Sequence, residues 1–171
     1  MSMNIEIKEA SLYDVPQVIA LIQKRIVWMD KENLDQWNKV GYLEQYSAAY
    51  FNQLSKEHQL FLAEQNHAVV GAMALLRHDT RWSDDVKAVY IHHLVSDPGI
   101  RGVGKSLIGF AEVYAKENQL DAVRLDSQKG NHVLDKYYDS LGYPIVGLCV
   151  EALYTGYKRE KSMRISGEVI K

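Results

Sequence analysis

Residues 99–106, Gly99-Ile100-Arg101-Gly102-Val103-Gly104-Lys105-Ser106, crowd three glycines, two cations and a hydroxyl into the head of an amphipathic segment. A chain that turns into a helix here exposes backbone N–H groups without intrahelical partners, at the end of a macrodipole worth roughly half a positive charge. Such a place suits an anion, above all a phosphate. Gly102 and Gly104 permit a positive φ or the close approach of a pyrophosphate, which a Cβ would prevent. Two phosphate-binding patterns fit the same string. As G-x-x-x-x-G-K-[ST] it spells a nucleoside-triphosphate loop, with Lys105 on the β and γ phosphates and Ser106 on magnesium. As R-x-x-G-x-[G/A/S] or G-x-x-G-x-G it spells a seat for the pyrophosphate of a coenzyme. A plain strand-to-helix turn is the third reading, and the flanking chain has to decide among them.

Positioning the loop takes a strand before it and a helix after it. Ala88-Val89-Tyr90-Ile91-His92-His93-Leu94-Val95 reads as the strand, and Leu107, Ile108, Ala111, Tyr114 and Ala115 recur at helical spacing. Upstream, Ile5 to Ala10 alternates as a first strand, and Ser11 with Asp14 signals a helix start. Val15, Val18, Ile19, Ile22 and Ile26 give that helix its apolar face. The stretch Trp28 to Gly41 is rich in charge and amides. A second helix is expected over Tyr42 to Leu54, with Leu43, Tyr46, Tyr50 and Leu54 facing the core. Leu60 to Glu64 and Ala68 to Leu76 read as a hairpin around Gln65-Asn66-His67, followed by a polar loop from His78 to Asp85. Downstream come a strand over Ala122 to Asp126 and a helix from Asn131 to Leu141, whose inner face is Leu134, Tyr137 or Tyr138, and Leu141. Gly142 closes it as a C′ residue. Tyr143 to Val150 and Glu151 to Lys158 form a final antiparallel pair. The expected organisation is one domain over 1–158 and a mobile or weakly docked tail over 159–171.

Composition bounds the function. With 171 residues and 47% hydrophobic content the chain builds one globular domain with a sizeable core. A formal net charge of -2 supplies no global basic field, which argues against a nucleic-acid partner. Cys149 is the only cysteine, so neither an intrachain disulfide nor a cysteine zinc site is available, no metal is expected, and its apolar neighbours suggest a buried structural thiol. The start of the chain has no basic region followed by an apolar stretch, and no segment approaches the length of a membrane span. A cytoplasmic protein with no membrane partner is the expectation.

The triphosphatase reading needs several parallel βαβ units after the loop, each of about 30 residues or more. The chain beyond Ser106 reads instead as one strand, one helix and an antiparallel pair, although Leu125-Asp126 imitates a Walker B aspartate. Those elements fit another pattern. Together with His92-His93-Leu94-Val95-Ser96-Asp97-Pro98, Gly102-Val103-Gly104-Lys105-Ser106-Leu107-Ile108, Val123-Arg124-Leu125-Asp126, Asn131 and Tyr137-Tyr138-Asp139-Ser140-Leu141-Gly142-Tyr143, the chain resembles the GNAT acetyltransferase superfamily over nearly its full length. The resemblance implies an α/β (α+β) fold, a splayed mixed and mostly antiparallel sheet flanked by helices on both faces. It implies acetyl-coenzyme A as cosubstrate, lying between diverging strands Ala88 to Val95 and Ala122 to Asp126. Main-chain groups of Leu94 and Val95 would hold the pantetheine arm and acetyl carbonyl, and N–H groups of Arg101, Gly102, Val103, Gly104, Lys105 and Ser106 the pyrophosphate. Asn131 matches the asparagine near the pantetheine. Tyr138 matches a tyrosine placed near the coenzyme sulfur, where a phenol donates a proton as charge develops.

The chain departs from that pattern in two places. Its loop is about two residues short, so that either Gly99 or Arg101 takes the usual Gln or Arg position. Where many relatives carry a glutamate as general base, His92 and His93 stand, with Glu64 and Asp126 as lesser candidates. A neutral histidine accepts a proton directly or through a water. Side chains alternate along a strand, so only one of the pair faces the acceptor unless a bulge intervenes. Trp28, Trp37, Tyr42, Trp82 and Asp84 are candidate acceptor walls. The resemblance implies transfer to a primary amine of a small molecule or peptide by direct attack and leaves room for a homodimer. A noncatalytic coenzyme-A sensor on the same fold is the remaining alternative.

Overall fold

The computed structural model describes residues 4–152 and 154–165; residues 1–3 and the end of the expected tail, 166–171, lie outside them. Seven strands form one sheet in the order β1-β2-β3-β4-β5-β7-β6. They are β1 (Glu6–Glu9), β2 (Leu60–Gln65), β3 (Ala68–Leu76), β4 (Ala88–Ser96), β5 (Ala122–Gln128), β6 (Ile145–Glu151) and β7 (Tyr154–Ser162). Pairing is antiparallel for β1 with β2, β2 with β3, β5 with β7 and β6 with β7, and parallel for β4 with β5. This is the mixed, mostly antiparallel sheet that the sequence implies. The helices are α1 (Val15–Lys31), α2 (Tyr42–Gln45), α3 (Ala48–Lys56), α4 (Val103–Glu117) and α5 (His132–Ser140).

The chain divides into two compact units. The first holds β1 to β3, helices α1 to α3, the second half of β4, the glycine loop and the start of α4. Ile22, Phe51, Leu60, Leu62, Met73, Val103 and Leu107 are fully buried in it. Gly71 on β3 makes this packing possible, because a Cβ there would sit 2.5 Å from Val103 Cγ1 and 3.2 Å from the Val95 carbonyl oxygen. The second unit holds the first half of β4, the second half of α4, and β5, α5, β6 and β7. Val123, Tyr143 and, unusually, the guanidinium side chains of Arg124 and Arg159 are buried in it, as is the expected thiol of Cys149.

Four helices end in the same way. Asn33, His58, Gln119 and Gly142 all take positive φ just past α1, α3, α4 and α5. In each case the following N–H reaches back to close the last turn: Leu34 to Met29, Gln59 to Leu54, Leu120 to Ala115 and Tyr143 to Tyr138. These are Schellman caps. The expected glycine cap after α5 is one of them, while the other three use residues that pay a steric penalty in the left-handed region.

The structure corrects three expectations. Helix α1 runs well past Ile26 to Lys31, taking Trp28 and Met29 with it, and buries Val15, Val18, Leu21, Ile22 and Met29. Ile19 and Ile26 are only half-buried. The single helix expected over Tyr42 to Leu54 is broken, because Ser47 is extended (φ -76°, ψ 174°) and starts α3 as its N-cap. The break turns Tyr42, Phe51 and Leu54 inward and leaves Leu43, Tyr46 and Tyr50 half-buried. Finally, β7 continues through the expected domain end at 158 to Ser162, and Arg159 is 0% exposed rather than part of a loose tail.

Candidate active site

Strand β4 ends at Ser96, and Asp97 then organises the loop. Its N–H donates to the Val70 carbonyl (2.8 Å), its Oδ1 accepts from the Gly99 N–H (2.9 Å), and its carbonyl accepts from the Ile100 N–H (3.1 Å). Lys24 of α1 closes the set with a 2.7 Å ion pair to Oδ2. Burial alone would raise the Asp97 pKa, but Lys24, the Gly99 N–H and Arg25 outweigh it and hold the carboxyl below the usual range. A depressed carboxyl stabilises the fold above the unfolded-state value of about 3.9 and loses that contribution as pH falls through the folded value. Asp97→Ala is therefore expected to lower unfolding free energy by about 2 kcal/mol at neutral pH, the size of charge-assisted bonds. Urea titrations of parent and variant should differ at pH 7 and converge in acid; a difference that persists in acid contradicts the assignment.

Gly102 takes φ +84°, with open space where a Cβ would stand. Its carbonyl accepts the first helical bond, from the Ser106 N–H (3.0 Å). Ser106 thus has its donor engaged inside the helix. The N–H groups of Arg101, Gly102, Val103, Gly104 and Lys105 have no acceptor among the described residues. Gly104 lies in the first turn of α4 and does not need positive φ. Five unpaired donors around a helix start, with Arg101 and Lys105 exposed beside them, match the chemistry of a pyrophosphate. Leu94 is half-buried and Val95 buried on the strand that feeds this loop.

In the second unit the ladder of β4 with β5 covers Ala88–Tyr90 against Ala122–Arg124. Asn131 is the N-cap of α5, and its side-chain oxygen accepts from the Leu134 N–H (3.1 Å), which leaves its amide NH2 as a donor. Tyr138 lies on the buried face of α5, 8% exposed, and its hydroxyl has no hydrogen-bond partner among the described residues. Burial pushes the phenol far above its ordinary value; Tyr137 and Asp126 add to this and Arg159 opposes it. Arg159 holds the helix in place by donating to Asp135 (2.8 Å), Asp139 (2.7 Å), Ser127 Oγ (2.9 Å) and the Tyr143 carbonyl (2.8 Å).

The two histidines have different surroundings. His93 stands mid-strand in the left-handed region, φ 53°. That break in the extended backbone defeats simple alternation, and the His92 and His93 rings lie 6.0 Å apart. The Nδ1 of His93 bonds the Tyr42 hydroxyl, and its Nε2 bonds the Tyr50 hydroxyl at 2.8 Å. Tyr46 and Phe51 complete a ring cage, with centroids 4.5 and 5.4 Å from the imidazole. The lesser base candidates are tied down: Glu64 pairs with Lys8 (2.8 Å), and Asp126 pairs with Arg81 (3.0 Å) and accepts from Tyr154 (2.5 Å).

The candidate acceptor walls separate by unit. In the first, Trp37 stacks on Tyr42 at 4.3 Å, and Trp28 lies under Arg25, which donates to Ser96 Oγ (2.9 Å). In the second, Trp82 lies 4.2 Å under Arg124 and Asp84 is paired with that same guanidinium (2.8 Å), so both serve the network that Glu160 and Tyr90 complete around the buried Arg124. Sequence reasoning missed Asp97 and Gly71 as supports of the loop, and the tyrosine cage of His93. An Asx turn two residues before Gly99 was the available signal for Asp97; the other two exist only through tertiary contacts.

The sequence profile of the Acetyltransferase (GNAT) family matches residues 24–143. The chain belongs to the GNAT acetyltransferase family. It is an enzyme of the acetyltransferase class. No curated protein matches the sequence. Solved structures share the fold at low identity. A GNAT-family acetyltransferase from Listeria monocytogenes superposes with a TM-score of 0.75 at 21% identity, covering 95% of this chain and 98% of its own. The PaiA N-acetyltransferase from Thermoplasma acidophilum, in complex with coenzyme A, gives 0.74 at 18% identity, covering 94% and 99%. Ard1 from Thermoplasma volcanium gives 0.69 at 18%, covering 92% and 97%. Among the described residues, no helix is long and apolar enough to cross a membrane.

Proposed function

We propose that this acetyltransferase moves the acetyl group of acetyl-coenzyme A directly onto a primary amine of a small molecule or peptide. The observation that carries the reading is the row of unpaired N–H donors from Arg101 to Lys105 at the start of α4. When bound, the coenzyme supplies an activated acetyl thioester. The chain's own residues bind and orient it: the loop donors hold the pyrophosphate with Arg101 and Lys105 adding charge, main-chain groups of Leu94 and Val95 hold the arm, and the free amide of Asn131 donates to it. Tyr138 donates a proton at the sulfur as the thiolate leaves, a role that suits a phenol kept protonated by burial. The histidine pair on β4 takes the proton from the acceptor amine. The coenzyme complex of the PaiA N-acetyltransferase supports coenzyme use on this fold.

Release of coenzyme A, followed across a panel of amines, amino acids, polyamines and peptides, tests the proposal. Release that depends on one class of amine is the expected result. Tight coenzyme binding with no release across the panel would make the protein a noncatalytic sensor.

A further inference from the structure

We propose that Tyr42, His93 and Tyr50 form a proton relay, in which the Tyr50 hydroxyl takes the acceptor's proton and passes its own to His93. This rests on the amine-acetylation reading and names the path by which the amine is deprotonated. Three observations meet at one ring. First, His93 holds a left-handed backbone in mid-strand, a conformation that is strained for a residue with a side chain. Second, both imidazole nitrogens are engaged by hydroxyls, Nδ1 by Tyr42 of α2 and Nε2 by Tyr50 of α3. Third, the two hydroxyls differ in access, since Tyr42 is buried and Tyr50 only half-buried. Groups facing the ring include Tyr42 of α2, Tyr46 at the C-terminal cap of that helix, Tyr50 and Phe51 of α3, and His92 from its own strand.

A histidine bonded this way meets an incoming proton through a hydroxyl. The neutral ring has one donor and one acceptor nitrogen. With the hydrogen on Nδ1 donated to the Tyr42 oxygen, Nε2 accepts from the Tyr50 O–H. When the acceptor's ammonium contacts the Tyr50 oxygen, its N–H bond breaks and the proton joins that oxygen. The original Tyr50 proton moves to Nε2, and the amine keeps its electron pair for attack. One positive charge enters and one remains, now on an imidazolium that donates to both tyrosine oxygens. Return of that proton to water through Tyr50 resets the relay. Burial pushes the Tyr50 phenol up to about 12, with Tyr46 adding to it, so Tyr50 passes a proton without standing ionised.

Two readouts test the relay. Nitrogen NMR of the His93 ring in the parent protein at neutral pH is expected to show the hydrogen on Nδ1; a hydrogen on Nε2 would overturn it. With an amine found in the panel, Tyr50→Phe is expected to lower kcat/KM about 100-fold at neutral pH. Acetyl-coenzyme A affinity should be unchanged, and the deficit should narrow as pH rises and the amine loses its proton unaided. Tyr42→Phe removes one acceptor from the imidazolium, lowers its pKa and moves the acidic limb to lower pH; Tyr42 is a positioning residue. A Tyr50→Phe enzyme with the parent's rate and pH profile overturns the relay while leaving the transfer reading intact. A parent enzyme that acetylates no amine overturns both.

Discussion

Tyr138→Phe is expected to lower kcat about 100-fold, the lower end of what a positioned general acid contributes, while coenzyme affinity and thermal stability stay at the parent's values. The substitution removes one hydroxyl and nothing else. The ring keeps its place on the buried face of α5 and its contact with the Arg159 guanidinium, 5.8 Å from the ring centre. Because the hydroxyl has no partner among the described residues, its loss strands no donor or acceptor there. A purely structural tyrosine would move the melting temperature and leave turnover alone. The raised phenol stays protonated throughout the physiological range, so the parent's basic limb belongs to another group and survives in the variant. Single-turnover measurements with a saturating amine separate the chemical step from product release; unchanged turnover removes Tyr138 from the mechanism.

Arg159→Ala is expected to destabilise the protein by about 3 kcal/mol, in the range found when one member of a buried ionic set is removed. Asp135 and Asp139 keep partial access to water, with side chains 22% and 62% exposed, which holds the effect to the low end. Ser127 Oγ and the Tyr143 carbonyl lose a buried donor and have no solvent to replace it. The bonds to Asp135 and Asp139 tie α5 to β7, so activity should fall with stability. Arg159→Lys keeps the charge but not the fork that reaches four oxygens, and should recover only part of the loss. Equilibrium urea unfolding measures both variants; an Ala variant within about 0.5 kcal/mol of the parent, the range of an ordinary surface substitution, would show that the network is not a structural anchor.

The parts of the fold that local chemistry dictates were legible in the sequence. Asn66 and His67 both take positive φ, as a two-residue hairpin turn demands, and they stand where the turn was expected. Gly102 and Gly142 take the left-handed conformations that their positions invite. The caps at Asn33, His58 and Gln119 were less visible, because asparagine and histidine carry only a modest bias toward that region and glutamine none. Arg159 was misread for a physical reason: Lys158-Arg159-Glu160-Lys161 looks like a solvated charge run, and hydropathy cannot tell that one of the four is buried against two aspartates. His93 shows the limit from the other side. Its type suggested a base, but the tyrosines that hold it come from helices far along the chain, and the break at Ser47 that leaves Tyr50 half-buried overrides a continuous helical pattern.

The central claim is that the loop from Gly99 to Ser106 seats the pyrophosphate of a coenzyme. Isothermal titration of the protein with acetyl-coenzyme A, beside ATP with magnesium, tests it most directly. Saturable binding of acetyl-coenzyme A, and none of ATP with magnesium, is the predicted result. Binding of ATP with magnesium in the absence of any coenzyme binding would contradict it.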